Sequence, residues 1–323
     1  MRRRGTRRTV GAMVRNSVKN MLIDADLPVG VPVPLAESAT VVVPPPADGR
    51  GHWAGAPSVC LVDGTFYLAY RLRCPDEDRR GYEIVVARST DGIDFETLVV
   101  LSKESFGAAS FERPALVFKP DGTWRIYVSC ATPGSYDWWI DALDAPDPSG
   151  FDPDRAKKVP LRADSFAVKD PVVQIRDGKW LLWVCCHPLD DPMATDRMFT
   201  RFASGPDGIE WSFRGEMLRG TSGHWDMRGV RVTEVLHDGD MWFAYYDGRS
   251  SKEDNAEECT GGAIGRSPDT LYPMAIGPVA TSPWGSGSLR YLSIAGSQAQ
   301  PQRLFFEACL PDGSHALMTQ SFR

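Results

Sequence analysis

Five carboxylates in this 323-residue sequence stand beside strand-like runs, where they could act as acids or bases. Two carboxylates on either side of an acetal carbon can cleave it, because one protonates the leaving oxygen while the other activates water or attacks the carbon. The candidates for this chemistry, which we take as the predicted catalytic residues, are Glu112, Asp170, Asp226, Glu253 and Glu257.

Arginines and aromatic residues accompany these carboxylates. Aromatic faces stack on the apolar face of a sugar, and the paired donors of arginine suit a carboxylate or a phosphate. The residues predicted to bind substrate are Trp53, Arg113, Arg228, Arg231, Arg249, Arg290 and Tyr291. The alternative is structural: Asp170-Pro171 could be a turn device, and the acidic stretch that contains Glu253 and Glu257 could be a solvated loop.

The elements that must position these residues follow from a repeat of about 58 residues. Asp-Gly pairs begin at 63, 121, 177 and 238, each between an aliphatic run and an aromatic-rich run. Asp-Gly in this setting indicates a hairpin, because both turn positions need positive φ. A fifth, weaker copy with a longer turn spans 289–308.

A second hairpin lies within each of the first four periods, at 83–96, 138–152, 199–213 and 261–274. Two hairpins per period give four strands, the pattern of a propeller blade. We predict an all-β, five-bladed β-propeller with four antiparallel strands per blade, rather than a β-sandwich, which needs no regular period. The last period shows three strands, so residues 39–44 are expected to pair beside 314–322 and close the ring.

This fold would bring the candidate residues together. The first strand of each blade begins at one face of the central funnel, and the loops from second to third strands return to that face. Glu112, Asp170, Asp226 and Arg290 come from four blades and are therefore predicted to surround one pocket. The predicted domain is a single propeller over residues 38–323, preceded by a basic, partly disordered tail and linker over residues 1–37.

Charge and composition narrow the classes of partner. The net charge is −6, but residues 1–20 carry seven basic side chains and no acidic one. The remaining body is acidic, which argues against nucleic acid as a partner. No apolar run reaches the roughly 20 residues of a membrane helix. An odd number of cysteines, seven, with no CxxC pair predicts reduced thiols, no metal site and a cytoplasmic protein.

The repeated strand–Asp-Gly–strand units and "KDPVV" at 169–173 resemble the five-bladed propeller glycosidases, the clan of glycoside hydrolase families 32, 43, 62 and 68. The resemblance covers residues 50–322 and marks a divergent subgroup. It implies a glycosidase, an enzyme that hydrolyses O-glycosyl bonds without a cofactor. In family 43 the base is a blade-one Asp, a blade-three Asp supports the acid, and the acid is a blade-four Glu.

Only the blade-three position, Asp170, meets that pattern. Ala56 occupies the blade-one position, and Arg231 stands where the fourth blade begins. We therefore expect relocated carboxylates, with Glu112 or Asp226 paired with Glu253 or Glu257 and with Asp170 supporting them.

The function predicted from the sequence is hydrolysis of a small glycoside, neutral or anionic, in the propeller funnel. Two alternatives stay open: a propeller that only binds a sugar or a protein partner, and a phosphorylase that uses phosphate in place of water. The sugar, its anomer and the oligomeric state are left open as well.

Overall fold

The computed structural model describes residues 27–28, 30–161, 165–274, 277–296 and 302–322. Within these ranges the regular structure is β-strands and six short 3₁₀ helices. The 3₁₀ helices are Ala36–Ser38, Glu77–Arg79, Lys103–Phe106, Pro148–Gly150, Pro153–Arg155 and Pro192–Ala194. The strands form one eight-stranded sheet and three sheets of four strands each.

Each four-stranded sheet is an antiparallel meander, with its strands adjacent in chain order. Unit two contains β6 (Ala115–Phe118), β7 (Trp124–Ala131), β8 (Trp138–Ala145) and β9 (Lys157–Val159). Unit three contains β10 (Phe166–Arg176), β11 (Lys179–Pro188), β12 (Phe199–Gly205) and β13 (Ser212–Arg219). Unit four contains β14 (Gly229–Asp238), β15 (Met241–Arg249), β16 (Cys259–Ser267) and β17 (Thr270–Pro273).

The eight-stranded sheet consists of two further meanders of four strands. Unit one contains β2 (Trp53–Val62), β3 (Thr65–Arg73), β4 (Glu83–Ser89) and β5 (Glu96–Ser102). Unit five contains β18 (Leu289–Ala295), β19 (Gln302–Cys309), β20 (His315–Phe322) and, on its outer side, β1 (Thr40–Val43). A single parallel pair, Trp53 with His315, joins the two units.

The N-terminal strand closes unit five as the sequence predicts. Strand β1 runs antiparallel to β20, with Thr40 opposite Thr319 and Val43 opposite Leu317. The segment before β1, which was predicted to be linker, is packed. Ala36 is buried in the core of unit five, and the Tyr245 hydroxyl donates to the carbonyl of Pro32. The predicted basic tail, 1–20, lies outside the described residues.

The Asp-Gly turns differ in detail. Asp63 and Asp177 have φ of 48° and 50° and are followed by glycines that also have positive φ, as the predicted turn requires. At Asp238 the pairing of Asp238 with Met241 places the two-residue turn one position later, on Gly239-Asp240. Between β6 and β7, Pro120 lies in a five-residue loop, since Phe118 pairs with Trp124.

Hydrophobic clusters fill the spaces between neighbouring units, and Trp183, Tyr245 and Phe305 are fully buried in them. All seven cysteines are free thiols. Across the described ranges, no helix has both the length and the apolar character needed to cross a membrane.

Candidate functional site

A cavity of about 590 Å³ lies where the first strands of the units begin. We refer to it as the central cavity. Its walls combine cations, carboxylates and aromatic rings, supplied by first strands, by the ends of second strands, and by the loops and third-strand starts that follow them. The charged and aromatic lining residues are Arg71, Arg73, Arg80, Lys169, Arg231, Arg249, Arg290, Glu77, Glu112, Asp196, Glu258, Trp53, Tyr136, Trp138 and Tyr291.

Equivalent positions in successive units supply much of this lining. In four first strands, the pairing with the second strand shifts close to a residue that lines the cavity, directly after Lys169 and Arg290 and one or two residues after Arg231 and Trp53. Such a bulge bends the strand and re-aims its side chains. Ala56, Asp170 and Tyr291 lie within three of these shifts and have φ of 53° to 55°, a region that non-glycine residues rarely occupy. Strained backbone of this kind is concentrated at functional sites.

Glu112 is the carboxylate on the side of units one and two. It is 4 % exposed and lies 2.7 Å from Arg71 Nη1 and 3.4 Å from Lys169 Nζ. Burial opposes its ionisation, but Lys169 and Arg71 outweigh burial and hold the pKa of Glu112 below its usual range. Glu112 is therefore a carboxylate anion at neutral pH, suited to act as a base or to stabilise positive charge.

Glu258 is the carboxylate on the side of units four and five. Its two oxygens lie 2.6 Å from Arg249 Nη1 and 2.6 Å from Arg290 Nη1. Burial again opposes ionisation, but Arg290, Arg231 and Arg249 together hold the pKa of Glu258 well below its usual range. Glu258 immediately precedes β16, so the strand start fixes its side chain, whereas its neighbour Glu257 does not line the cavity.

A buried chain of charges continues behind Arg290. Arg290 Nε donates to Glu307 Oε1 at 2.8 Å, and Glu307 accepts from His315 Nδ1 at 2.8 Å. Glu307 also accepts from the backbone N–H of Ala56. A Cβ at Gly55 would lie 2.0 Å from Glu307 Oε2, so glycine is required there. Thus the blade-one position, which lacks an acidic side chain, is contacted by a carboxylate from unit five.

His315 also lies against Glu257 and Cys309. These three side chains offer ligand atoms within 4.8 Å of one another, the arrangement in the described chain that comes nearest to a metal site. Nδ1 of His315 is 2.8 Å from Glu307, and Nε2 is 3.2 Å from Glu257. Burial disfavours the imidazolium, but hydrogen bonds to Cys309, Glu257 and Glu307 raise its pKa to about 10. His315 is therefore an imidazolium at neutral pH.

This charge makes stability depend on pH. The folded-state pKa of His315, about 10, lies above the ordinary value of about 6.5. The stabilisation is therefore complete below pH 6.5 and is lost as pH rises to 10, at up to about 1.4 kcal/mol per pH unit. Urea unfolding of the wild type and of His315→Gln across pH 6–10 measures, for each protein, the slope of the free energy of unfolding against pH. Equal slopes for the two proteins would contradict the assignment.

Asp170 lies beneath the cavity and does not line it. Its side chain is fully buried, accepts from the backbone N–H of Arg113 at 2.9 Å and lies 3.0 Å from Arg231 Nη1. Arg231 is held from its other side by Asp247, 2.7 Å away. Burial raises the pKa of Asp247 to about 6, against the opposing effect of Arg231. Asp170 is thus placed to position Arg231 and has no direct access to a ligand.

Arg113 lies deeper still. Its guanidinium donates to the carbonyls of Pro57, Thr233 and Leu292, which belong to units one, four and five. Arg113 lines a second cavity of about 490 Å³, whose other lining residues lie farther along the first strands. Arg113, which was predicted to bind substrate, therefore ties three units together and does not line the central cavity.

Some of the remaining predicted site residues line the central cavity and others lie outside it. Trp53, Arg231, Arg249, Arg290 and Tyr291 line the central cavity together with Glu112. Asp226 is buried elsewhere, accepting from the Tyr246 hydroxyl and the backbone N–H of Thr221. Arg228 pairs with Asp196, Glu257 binds Arg50 and His315, and Glu253 is exposed. Glu112, Asp170, Asp226 and Arg290 therefore do not surround one pocket.

Sequence reasoning missed several residues of the cavity. Lys169 and Glu258 lie next to the predicted residues Asp170 and Glu257. Strand alternation would have shown which member of each pair faces the cavity if the bulge positions had been known. Arg71, Arg73 and Trp138 come from second-strand ends and third-strand starts, where the repeat gives no register. For Arg71 and Arg73, the available sequence signal was the density of cations in "RLRCPDEDRRGY" at 71–82.

Several solved structures share this architecture. A thermostable family-43 glycoside hydrolase superposes with a TM-score of 0.66 at 14 % identity, covering 88 % of this chain and 93 % of that one. The chain shares the fold of the family 43 glycoside hydrolases. A family 43, subfamily 1 enzyme from Xanthomonas citri, complexed with xylose, gives a TM-score of 0.61 at 17 % identity, with 88 % and 91 % covered.

The likeness extends to related enzymes of the family 43 fold. A β-1,2-mannobiose phosphorylase from Listeria innocua, in complex with β-1,2-mannobiose, gives a TM-score of 0.58 at 15 % identity, covering 88 % of this chain and 94 % of that one. No protein-family sequence model and no curated protein sequence matches the chain. The resemblance to the family 43 clan is thus established in three dimensions, and it shows the fold.

Proposed function

We propose that the chain is a glycosidase-like enzyme that cleaves a small glycoside in the central cavity. On this reading, units one to five are the five blades of a propeller formed by residues 38–323. The observation that carries the proposal is the pair of buried, ionised carboxylates, Glu112 and Glu258, which enter one cavity from different blades beside the rings of Trp53 and Trp138.

Glu112 and Glu258 replace the pairs expected from the sequence. One ionised carboxylate can activate water, and both can stabilise the positive charge that develops at the anomeric carbon. Asp170 contributes through Arg231, which it holds at the cavity floor. Because both cavity carboxylates are ionised, protonation of the leaving group is the least assisted step. Nitrophenyl glycosides, whose leaving groups need no proton, are therefore the substrates to screen first.

Glu112→Gln and Glu258→Gln are each expected to lower kcat on a nitrophenyl glycoside by about 10²–10⁴, the usual scale of acid–base groups. Glu253→Gln is the matched control, since this exposed residue lies on the same loop as Glu258 and should leave kcat unchanged. Thermal unfolding of each variant separates loss of chemistry from loss of fold. Full activity in both cavity variants would show that catalysis occurs elsewhere or by other groups.

Phosphorolysis is the second candidate, because the cations of the cavity could hold a phosphate nucleophile. It predicts that cleavage requires phosphate and releases a sugar 1-phosphate. The same screen, run with and without phosphate, separates the two reactions. Binding of sugars without any cleavage under either condition would favour the non-catalytic alternative.

A further inference from the structure

The cations of the central cavity are not equally neutralised. Five of them lie within 3.5 Å of a carboxylate oxygen of Glu112, Glu258, Asp247 or Glu307; they are Arg71, Lys169, Arg231, Arg249 and Arg290. These include the three cavity arginines that the sequence had assigned to substrate. Arg73 and Arg80 differ: Arg80 reaches Glu112 only at 4.0 Å, and Arg73 reaches no carboxylate within 4 Å among the described residues.

Arg73 is a cation with no carboxylate partner and with one buried donor that lacks an acceptor. It ends β3, and its guanidinium lies over the ring of Trp53, 4.5 Å from the centroid. Its Nε is buried and has no acceptor among the described residues. Burial and then the neighbouring Arg71 lower the pKa of Arg73 to about 10, so the group stays charged at neutral pH. Arg73 is partly exposed and lines the central cavity, so its charge, which no carboxylate of the described residues pairs with, can meet a ligand.

The groups around Arg73 are also donors. The indole N–H groups of Trp53 and Trp138 are buried without an acceptor in the described structure. Lys169 Nζ lies 4.8 Å from the centre of the Trp138 ring. A neutral sugar offers hydroxyls that both donate and accept, whereas an oxyanion offers acceptors alone. Unmatched donors with excess positive charge therefore favour an oxyanion.

The loop that carries Arg80 is held in place. Gly81 has a φ of 50°, and a Cβ there would lie 2.2 Å from the carbonyl oxygen of Phe111. The N–H of Phe111 donates to the carbonyl of Gly81, so the loop of unit one is fastened to unit two. Arg80 is 47 % exposed at its side chain and stands at the cavity wall, where it can turn toward a ligand. Glu77, on the same loop, is exposed.

We propose that Arg73 and Arg80, on the wall of the central cavity that also contains Trp53 and Trp138, form an oxyanion subsite that binds the carboxylate of the sugar being cleaved. The substrate class is then acidic glycosides, such as those of uronic acids. This inference rests on the proposed function for its glycosidic bond, but binding of the acidic sugar does not require cleavage. Free inorganic phosphate presents the same oxyanion chemistry and is the rival source of the ligand.

Calorimetric titration tests the subsite with D-glucuronate and D-galacturonate, against D-glucose and D-galactose as neutral partners and inorganic phosphate alone. We expect one uronate to bind at least tenfold more tightly than its neutral partner, and the preference to fall with added salt. Arg73→Gln and Arg80→Gln should each remove about tenfold of the uronate affinity, the scale of one charge-assisted hydrogen bond. Both should change neutral-sugar affinity less than twofold.

Arg88→Gln is the matched control, since this exposed arginine pairs with Glu96 outside the cavity. Thermal unfolding guards against misfolding, and Arg73→Gln should unfold at the same or a higher temperature because it removes an uncompensated charge. Equal affinity for acidic and neutral sugars, or a preference that survives both substitutions, would overturn the subsite. If phosphate competes for the site and drives cleavage of neutral glycosides, the subsite binds a phosphate co-substrate and not the carboxylate of a sugar.

Failure of this inference and failure of the proposed function give different results. If uronates bind in an Arg73-dependent manner and no glycoside is cleaved, the subsite stands and the enzymatic proposal fails. If neutral glycosides are cleaved as efficiently as acidic ones, the enzymatic proposal stands and the subsite fails.

Discussion

Replacing Arg113 with alanine is expected to lower the free energy of unfolding by about 3–5 kcal/mol, because buried carbonyls lose their donor and a void is left. The Arg113 side chain is fully enclosed and donates to Pro57 O at 2.8 Å, Thr233 O at 2.8 Å and Leu292 O at 3.3 Å. Alanine would leave three buried carbonyls without this donor and open a void among three units. Urea unfolding monitored by tryptophan fluorescence measures the loss.

Two further variants make the result specific. Arg113→Lys keeps the charge but cannot reach three carbonyls in one plane, so an intermediate loss is expected. Arg88→Ala removes an exposed arginine whose pair with Glu96 is solvated, and should change stability by less than about 1 kcal/mol. A loss for Arg113→Ala as small as that control would show that the guanidinium does not tie the units together.

Removal of residues 1–45 is expected to destabilise the chain by at least about 4 kcal/mol, a large share of the 5–15 kcal/mol typical of a folded domain. The truncation deletes β1, leaves the edge of β20 unpaired, and takes away the buried Ala36 and the acceptor of the Tyr245 hydroxyl. An exposed strand edge also promotes association. Thermal unfolding and light scattering measure the two effects.

The control for this truncation is removal of residues 1–20 alone. That segment is basic and lacks an apolar run, so its loss should leave the unfolding temperature unchanged. If the 45-residue truncation matched the 20-residue truncation in stability, closure of unit five by β1 would contribute nothing to the fold.

Local rules explain which parts of the fold could be predicted. The Asp-Gly pairs at 63 and 177 carry their own turn conformation, and the aliphatic run at 40–43 had no partner other than the incomplete last unit. Glu112, Arg231 and Arg290 lie at strand starts, so repeat alignment placed them correctly in the cavity. Each of these predictions rests only on local backbone preferences and on the period of the sequence repeat.

The remaining site residues depend on long-range packing. Whether Glu257 or Glu258 faces the cavity is decided by where β16 begins, one residue later. Asp170 lies inside β10 and Arg113 just before β6, and the left-handed φ at Asp170 and the carbonyls of distant units place both side chains below the cavity. Asp226 is held by Tyr246, a contact that no local pattern specifies.

The position of Arg113 also sets how molecules can travel. A propeller axis is commonly a tunnel, but here the central cavity and the second cavity share no lining residue, and Arg113, whose guanidinium is bonded to three carbonyls, lines only the second. The route is a dead end. A ligand must leave through the mouth by which it came in, and a polysaccharide cannot be threaded along the axis. If the proposed reaction takes place in the central cavity, product must therefore leave through the same opening before the next substrate can enter.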